Sequence, residues 1–170
     1  KFQGRIQKQF ELNFYTLFAS IHFIQEEYNK ALFWINKMIH DARDNIREDI
    51  YCGIRLLNLI IHYELGNEDL LEYLVKSTYR YLYKREKLYK FEILVLNFIR
   101  KKLPKIIDAK TLTNVFGELK KEMEEIVKDP FEQKILDLFD FMSWAESKIE
   151  NRPFAEIVKE KAQQTIHLQT

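Results

Sequence analysis

Glycine, proline and cysteine are scarce in this chain: four, three and one among 170 residues. An all-β fold needs turn residues about every ten positions, and this supply does not meet that need. The one cysteine, Cys52, excludes an internal disulfide framework and favours a reducing compartment, so we expect a cytoplasmic location. No apolar run approaches the ~20 residues of a membrane-spanning helix, so no membrane insertion is expected. A chain of this size buries roughly 68–70% of its unfolded surface and needs neither disulfide nor metal to fold. What these absences leave is helix. The chain opens on Lys1 rather than methionine, from which we expect a piece of a longer protein.

The net charge of +1 conceals a segregation. Residues 1–75 carry 8 basic and 11 acidic side chains, a net of −3. Residues 76–110 carry 11 and 3, a net of +8, and residues 111–170 carry 8 and 12, a net of −4. One basic segment thus lies between two mildly acidic flanks. Such asymmetry bears on partners, not on fold.

Apolar residues Ile6, Phe10, Phe14, Leu17, Phe18, Ile21 and Ile24 recur every three or four positions, which predicts a first helix with these as its stripe. A second runs from Tyr28 to Ile39. A third runs from about Arg47 to Leu65, where Gly66 supplies a left-handed stop. Asn67 should cap a fourth, with Leu70, Leu71, Leu74, Thr78 and Tyr81 buried, ending near Lys84. A fifth spans about Leu88 to Leu103 and is apolar nearly all round, so it should be covered on more than one side. Thr111 or Thr113 opens a sixth, ending at Val127. Asp129-Pro130 with Glu132 starts a seventh to about Ile149, and Pro153 opens a short eighth. The core should include Phe18, Ala31, Ile35, Leu57, Leu74, Phe91, Val95, Phe98 and Leu138.

The segment from Leu12 to Ile39 resembles a tetratricopeptide repeat. Tyr15, Phe18 and Ala19 fall where that family places its aromatic, large apolar and small residues on the first helix; Tyr28, Ala31, Ile35 and Met38 match the second. Forty residues on, "ELGNEDLLEYL" aligns with "IQEEYNKALFW" and His62 with His22, although Leu71 replaces the alanine and Glu68 the turn tyrosine. The spacing also exceeds the family's period of about 34 residues. The chain is similar to the C-terminal part of bacterial proteins that carry degenerate repeats of this kind. The resemblance implies an all-α fold of about eight helices, in antiparallel hairpins stacked as a right-handed superhelix. The whole of 1–170 would be one helical-repeat domain, with repeat-like units at about 12–45 and 52–85 and irregular helix pairs at 88–128 and 130–165.

Motifs with chemistry are few. No histidine pair sits at i, i+4, and no glutamate lies three residues before a histidine, so no metal and no cofactor are expected. His22 and Glu26 share a face, a pairing that arises readily by chance. Cys52, inside an apolar helix, is a small hydrophobe rather than a nucleophile. With no glycine-rich loop either, we expect no enzyme. The stretch "KSTYRYLYKREKLYKF", Lys76 to Phe91, holds six basic residues, one acid and four tyrosines. Lys76, Arg80, Lys84 and Lys87, with Tyr83 among them, form a row off the buried stripe, and Arg100, Lys101, Lys102 and Lys105 form a separate cluster. A solvated face is the first reading of the row, an acidic protein partner the second and nucleic acid the third. In the repeat register Asn13, Thr16 and Ser20 form a polar row where such arrays line a groove, suited to an extended peptide. In the second unit the same register gives Gly53, Leu56 and Ile60, which would not continue a polar groove, and the polar row there is Arg55, Asn58 and His62 instead. The expected function is a non-enzymatic module binding a protein or peptide partner. A nucleic-acid-binding domain using residues 76–110 is the alternative, and a peptide-sensing regulatory domain a second one. The sequence does not set an oligomeric state.

Overall fold

A computed structural model describes residues 8–41, 48–84 and 89–168. Among them the chain is all-helical, with nine α-helices and no strand. It divides into two compact units, residues 1–88 and 89–170. The first holds α1 (Lys8–Ile24), α2 (Tyr28–Asp41), α3 (Glu48–Glu64) and α4 (Glu68–Leu82). The second holds α5 (Lys90–Lys101), α6 (Ala109–Ile126), α7 (Pro130–Gln133), α8 (Phe141–Glu150) and α9 (Phe154–Leu168).

In the first unit, α1 packs on α2, α2 on α3 and α3 on α4. The two hairpins turn in the same way. At the first turn the amides of Gln25, Glu26 and Glu27 donate to the carbonyls of Ile21, Phe23 and His22. At the second, Leu65, Gly66 and Asn67 donate to Ile61, Tyr63 and His62, the same three bonds forty residues later. Both turns carry a left-handed residue at the same place, Glu26 at φ 58° and Gly66 at φ 67°. That is the geometry which closes a helix by pairing its last carbonyls, and glycine meets it without the strain glutamate bears. A side-chain link repeats as well: His22 Nδ1 lies 2.7 Å from Glu27 Oε2, and His62 Nδ1 lies 3.1 Å from the Asn67 amide nitrogen.

Several expectations need correction. Of the apolar stripe read on α1, Phe14, Leu17, Phe18 and Ile21 are exposed and Ile24 is half-buried, Ile6 lies outside the described residues, and the buried positions are instead Leu12, Ala19 and Phe23. Helix α1 is apolar on two faces, and the one carrying Leu12, Ala19 and Phe23 is the one that is buried. Phe18 therefore leaves the core and packs against the Trp34 ring at 4.8 Å. On α4 the buried residues are Val75, Thr78 and Leu82, so the stripe is rotated from the one read. Leu70 is exposed, and Leu71, Leu74 and Tyr81 are half-buried. Asn67 precedes α4 without capping it, because its amide faces His62 instead.

The second unit is tied by aromatic rings. Phe98 of α5 meets Phe116 of α6 edge-on at 4.9 Å, Phe116 meets Trp144 of α8 at 5.2 Å, and Phe98 lies 6.4 Å from Trp144. Glu146 of α8 adds a charged tie, 2.6 Å from Lys120 of α6 and paired also with Lys161 of α9. Burial raises the Glu146 carboxyl, and the two lysines outweigh it, holding the group below its ordinary value. The sixth helix opens at Ala109, capped by Asp108, whose carboxylate accepts the Thr111 amide at 2.7 Å.

The single helix expected over 130–149 is broken. α7 passes into a 3-10 turn, Lys134–Asp137, and α8 starts afresh at Phe141. Asp140 causes the restart: its carboxylate accepts the Ser143 amide at 2.9 Å and the Ser143 hydroxyl at 2.5 Å. The break turns Phe139 into the core against Phe141 and Phe154, and leaves Leu138, an expected core residue, half-buried. Ala31, Ile35, Leu57, Phe91, Val95 and Phe98 are buried as read.

Because Phe98 touches two other helices through its ring, Phe98→Ala should destabilise the protein by about 3–5 kcal/mol. Chemical denaturation measures this, and a loss below about 1 kcal/mol would put Phe98 outside the aromatic knot.

Candidate functional site

Of the residues singled out from the basic stretch, Lys76 and Arg80 are exposed on α4, and Tyr83 and Lys84 follow its last residue. Lys76 is exposed and its ammonium is 2.5 Å from Glu72, whose carboxyl is held low by that hydrogen bond. The Arg80 Nε donates to the Lys76 carbonyl at 3.3 Å. Tyr83 is exposed and stacks on Tyr79 with ring centres 4.1 Å apart, and Lys84 is exposed beside it. Lys87 lies outside the described residues. Tyr83 thus has an intramolecular stacking partner already, and Lys76 an acid. In the other row, Asn13 is exposed, Ser20 is half-buried, and the Thr16 hydroxyl donates to the Leu12 carbonyl at 2.9 Å, 3.4 Å from Met38 Sδ. Thr16 spends its donor inside the helix.

The polar residues of α3 are drawn inward. The Arg55 guanidinium lies over the rings of Tyr51 and Tyr81, at 4.9 and 4.6 Å, and donates to the Tyr51 hydroxyl at 3.2 Å. Asn58 and His62 are 6% and 5% exposed. The Arg55 Nε and the Asn58 Oδ1 are buried without a hydrogen-bond partner among the described residues. Arg55 is half-buried and Asn58 and His62 are buried, so this row is drawn into the first unit rather than set out on its surface.

The second unit does carry an open site. A cleft of about 380 Å³ lies between α5 and α6. Ile93, Leu94 and Phe98 from α5 meet Val115, Leu119 and Ile126 from α6 across its floor. The walls carry charges of opposite sign: Lys90 and Lys101 on α5 with Lys102 just past its end, Glu118 and Glu122 on α6. Asn97 is the one neutral amide in the lining. Lys102 reaches across to Glu118 at 3.1 Å, bridging the two walls at one end.

Helical spacing makes this arrangement. Positions 90, 93, 94, 97, 98 and 101 fall on one face of α5, and 115, 118, 119, 122 and 126 on one face of α6. The α5 end is anchored by Glu132, a 5% exposed carboxylate that accepts the Lys90 and Phe91 amides, each at 3.0 Å. An acid at that place satisfies two of the helix's free amides and meets the positive end of its dipole. Across the cleft, Asp108 starts α6, and its carboxyl is held low by the bond from the Thr111 amide.

Sequence reasoning found Lys101 and Lys102 as part of a basic cluster and missed the cleft. Periodicity assigns every apolar position to a core, so it did not distinguish the half-buried Ile93, Leu94 and Val115 from the buried Phe98 and Leu119. The available signal was the all-round apolarity of α5, which calls for a cover on more than one side. Among the described residues, no three histidine, cysteine, aspartate or glutamate side chains gather as metal ligands would. No described helix is long and apolar enough to cross a membrane.

His62 carries the pH dependence most open to measurement. Desolvation holds its pKa below the ordinary 6.5, and the Asn67 amide donates to a ring nitrogen that must stay unprotonated. The unfolded chain takes up a proton near pH 6.5 that the folded ring resists. Stability is therefore full above that pH and falls as the pH drops below it, by at most about 1.4 kcal/mol per pH unit. His62→Gln should remove this component, measured as the difference between the two proteins' denaturation curves from pH 7.5 to 5. Parallel curves would place the His62 ring in water.

Comparison with family models, with curated proteins and with solved structures gives no match for this chain.

Proposed function

We propose that the chain is a non-enzymatic interaction module that binds a segment of a protein partner, and that it does so in the cleft between α5 and α6. One observation carries the reading: an apolar floor flanked by walls of opposite charge. Apolar floors with a few placed polar groups are what binding clefts are made of. Opposed charges fix the register of a partner, and they disfavour a polyanion, since phosphates drawn to Lys90 and Lys101 would face Glu118 and Glu122. The walls offer no base poised against a nucleophile.

The finer architecture belongs to the same proposal. We read α1–α2 and α3–α4 as two stacked hairpins of a tetratricopeptide-like array, supported by the turn geometry that repeats forty residues apart. Repeat arrays hold themselves together by neighbour contacts and leave their surfaces free to specialise. A cytoplasmic location fits a protein whose single cysteine is buried and has no second cysteine in the chain to pair with.

Selection from a random peptide library against the immobilised full chain tests the function. Enriched peptides should lose at least about tenfold in affinity on Val115→Asp, which puts a charge on a half-buried floor position with little risk to the fold. A fluorescent single-stranded oligonucleotide should bind negligibly at about 150 mM salt. Failure to enrich any peptide, indifference to Val115→Asp, or salt-sensitive micromolar binding of the oligonucleotide would each overturn the proposal.

A further inference from the structure

The geometry points to one class of occupant for this cleft: an amphipathic helix of about three turns, acidic along one flank and basic along the other. The inference rests on the reading of the cleft as a partner site and adds the chemistry of the partner.

Three features carry it. The first is what the floor lacks. An extended peptide must find partners for its amides and carbonyls, and this floor offers hydrocarbon with one amide, Asn97. Desolvating a peptide group without a partner costs free energy that a strand has no means of recovering here. A helix pairs its own backbone and brings only side chains to the contact. The second is length. From Lys90 to Lys101 the α5 wall runs about 16 Å at 1.5 Å per residue, the length of about 11 helical residues. Beyond it the Lys102–Glu118 pair spans the walls and ends the run. Three apolar anchors at i, i+3 or i+4, and i+7 fit that length, and about 380 Å³ holds three large side chains but no whole helix.

The third feature is the polarity of the walls. A helix seated between Lys90 and Lys101 on one side and Glu118 and Glu122 on the other is matched when its two flanks carry opposite charges. Turning such a helix end for end exchanges its flanks. Opposed walls therefore select a direction as well as a sequence: a partner with acid on one given flank enters one way only, and exchanging its flank charges reverses it. Walls of one sign could not do this. The cleft's modest charge thus serves orientation more than strength.

Synthetic peptides of about 12 residues test the inference against the full chain at low ionic strength. All share one apolar helical stripe. One has a glutamate flank and a lysine flank, a second has these exchanged, a third has glutamate on both, a fourth lysine on both, and a fifth repeats the first with a central proline. The two mixed-flank peptides should bind about tenfold tighter than either single-sign peptide. A spin label on the N-terminus should broaden signals near Lys90 for one mixed peptide and near Lys101 for the other. The proline peptide should lose most of its affinity. In the double variant Lys101→Glu, Lys102→Glu, whose exposed positions spare the fold, preference should move to the lysine-only peptide; Glu122→Lys should move it to the glutamate-only peptide. Equal binding of all flank patterns, one direction for both mixed peptides, or full affinity of the proline peptide would each sink the helix assignment. Library peptides with no helical stripe that still need Val115 would do the same while leaving the interaction module standing.

Discussion

The contact of Phe98 with Phe116 and Trp144 is the one on which the second unit depends. Three helices from different parts of the chain meet through three rings set edge to face, the arrangement in which one ring's positive rim meets another's negative face. Phe98 also lines the cleft between α5 and α6. The same side chain is thus floor on one side and core on the other. The cleft rests on this packed core, so the docking proposed above does not have to make its shape. Glu132 contributes to the same end by fixing the first turn of α5, where the basic wall begins. Preorganisation of this kind lowers the cost of binding without adding a contact.

How much of this was legible in the sequence depends on the signal. Gly66 and Asp129-Pro130 announce helix ends through backbone chemistry that tertiary contacts rarely override, and both stand where they were read. Ala31 and Ile35 were legible because small and β-branched residues at hairpin spacing leave little choice of face. The restart at Asp140 was not, since no glycine or proline marks it. An aspartate three residues before a serine in an apolar stretch, with Phe139 on its other side, competes with the helix only through local capping bonds. On α1 the difficulty was different: apolar residues line two faces, and periodicity does not say which face a neighbour covers. The cleft suffers from the same blindness, because a half-buried valine and a buried leucine look alike in a string of letters.

The charge segregation also changes meaning in three dimensions. The segment 76–110 carries a net of +8, which in sequence reads as a basic row on the fourth helix and a separate cluster at the end of the fifth. Lys76 is instead engaged by Glu72, and Lys102 by Glu118 from the acidic segment that follows. Lys90 and Lys101 line the cleft that also holds Glu118 and Glu122. A run of one sign along the chain has become a pair of opposed walls across a groove. Exposed pairs of this sort add little to stability, and in the proposed function their value lies in which partner they admit. That is why the acidic residues of α6, unremarkable by themselves, matter as much as the lysines.

The central claim is that a partner docks on the faces of α5 and α6 turned toward each other. Chemical-shift mapping of the isotope-labelled full chain, titrated with a helix-forming mixed-flank peptide, tests it directly. The account predicts shifts concentrated at Ile93, Leu94 and Asn97 of α5 and at Val115, Glu118 and Glu122 of α6, with α1, α2 and the Lys76–Lys84 row unmoved. Shifts centred instead on the exposed face of α1, at Phe14, Leu17 and Ile21, or on Lys76 and Arg80, would contradict it.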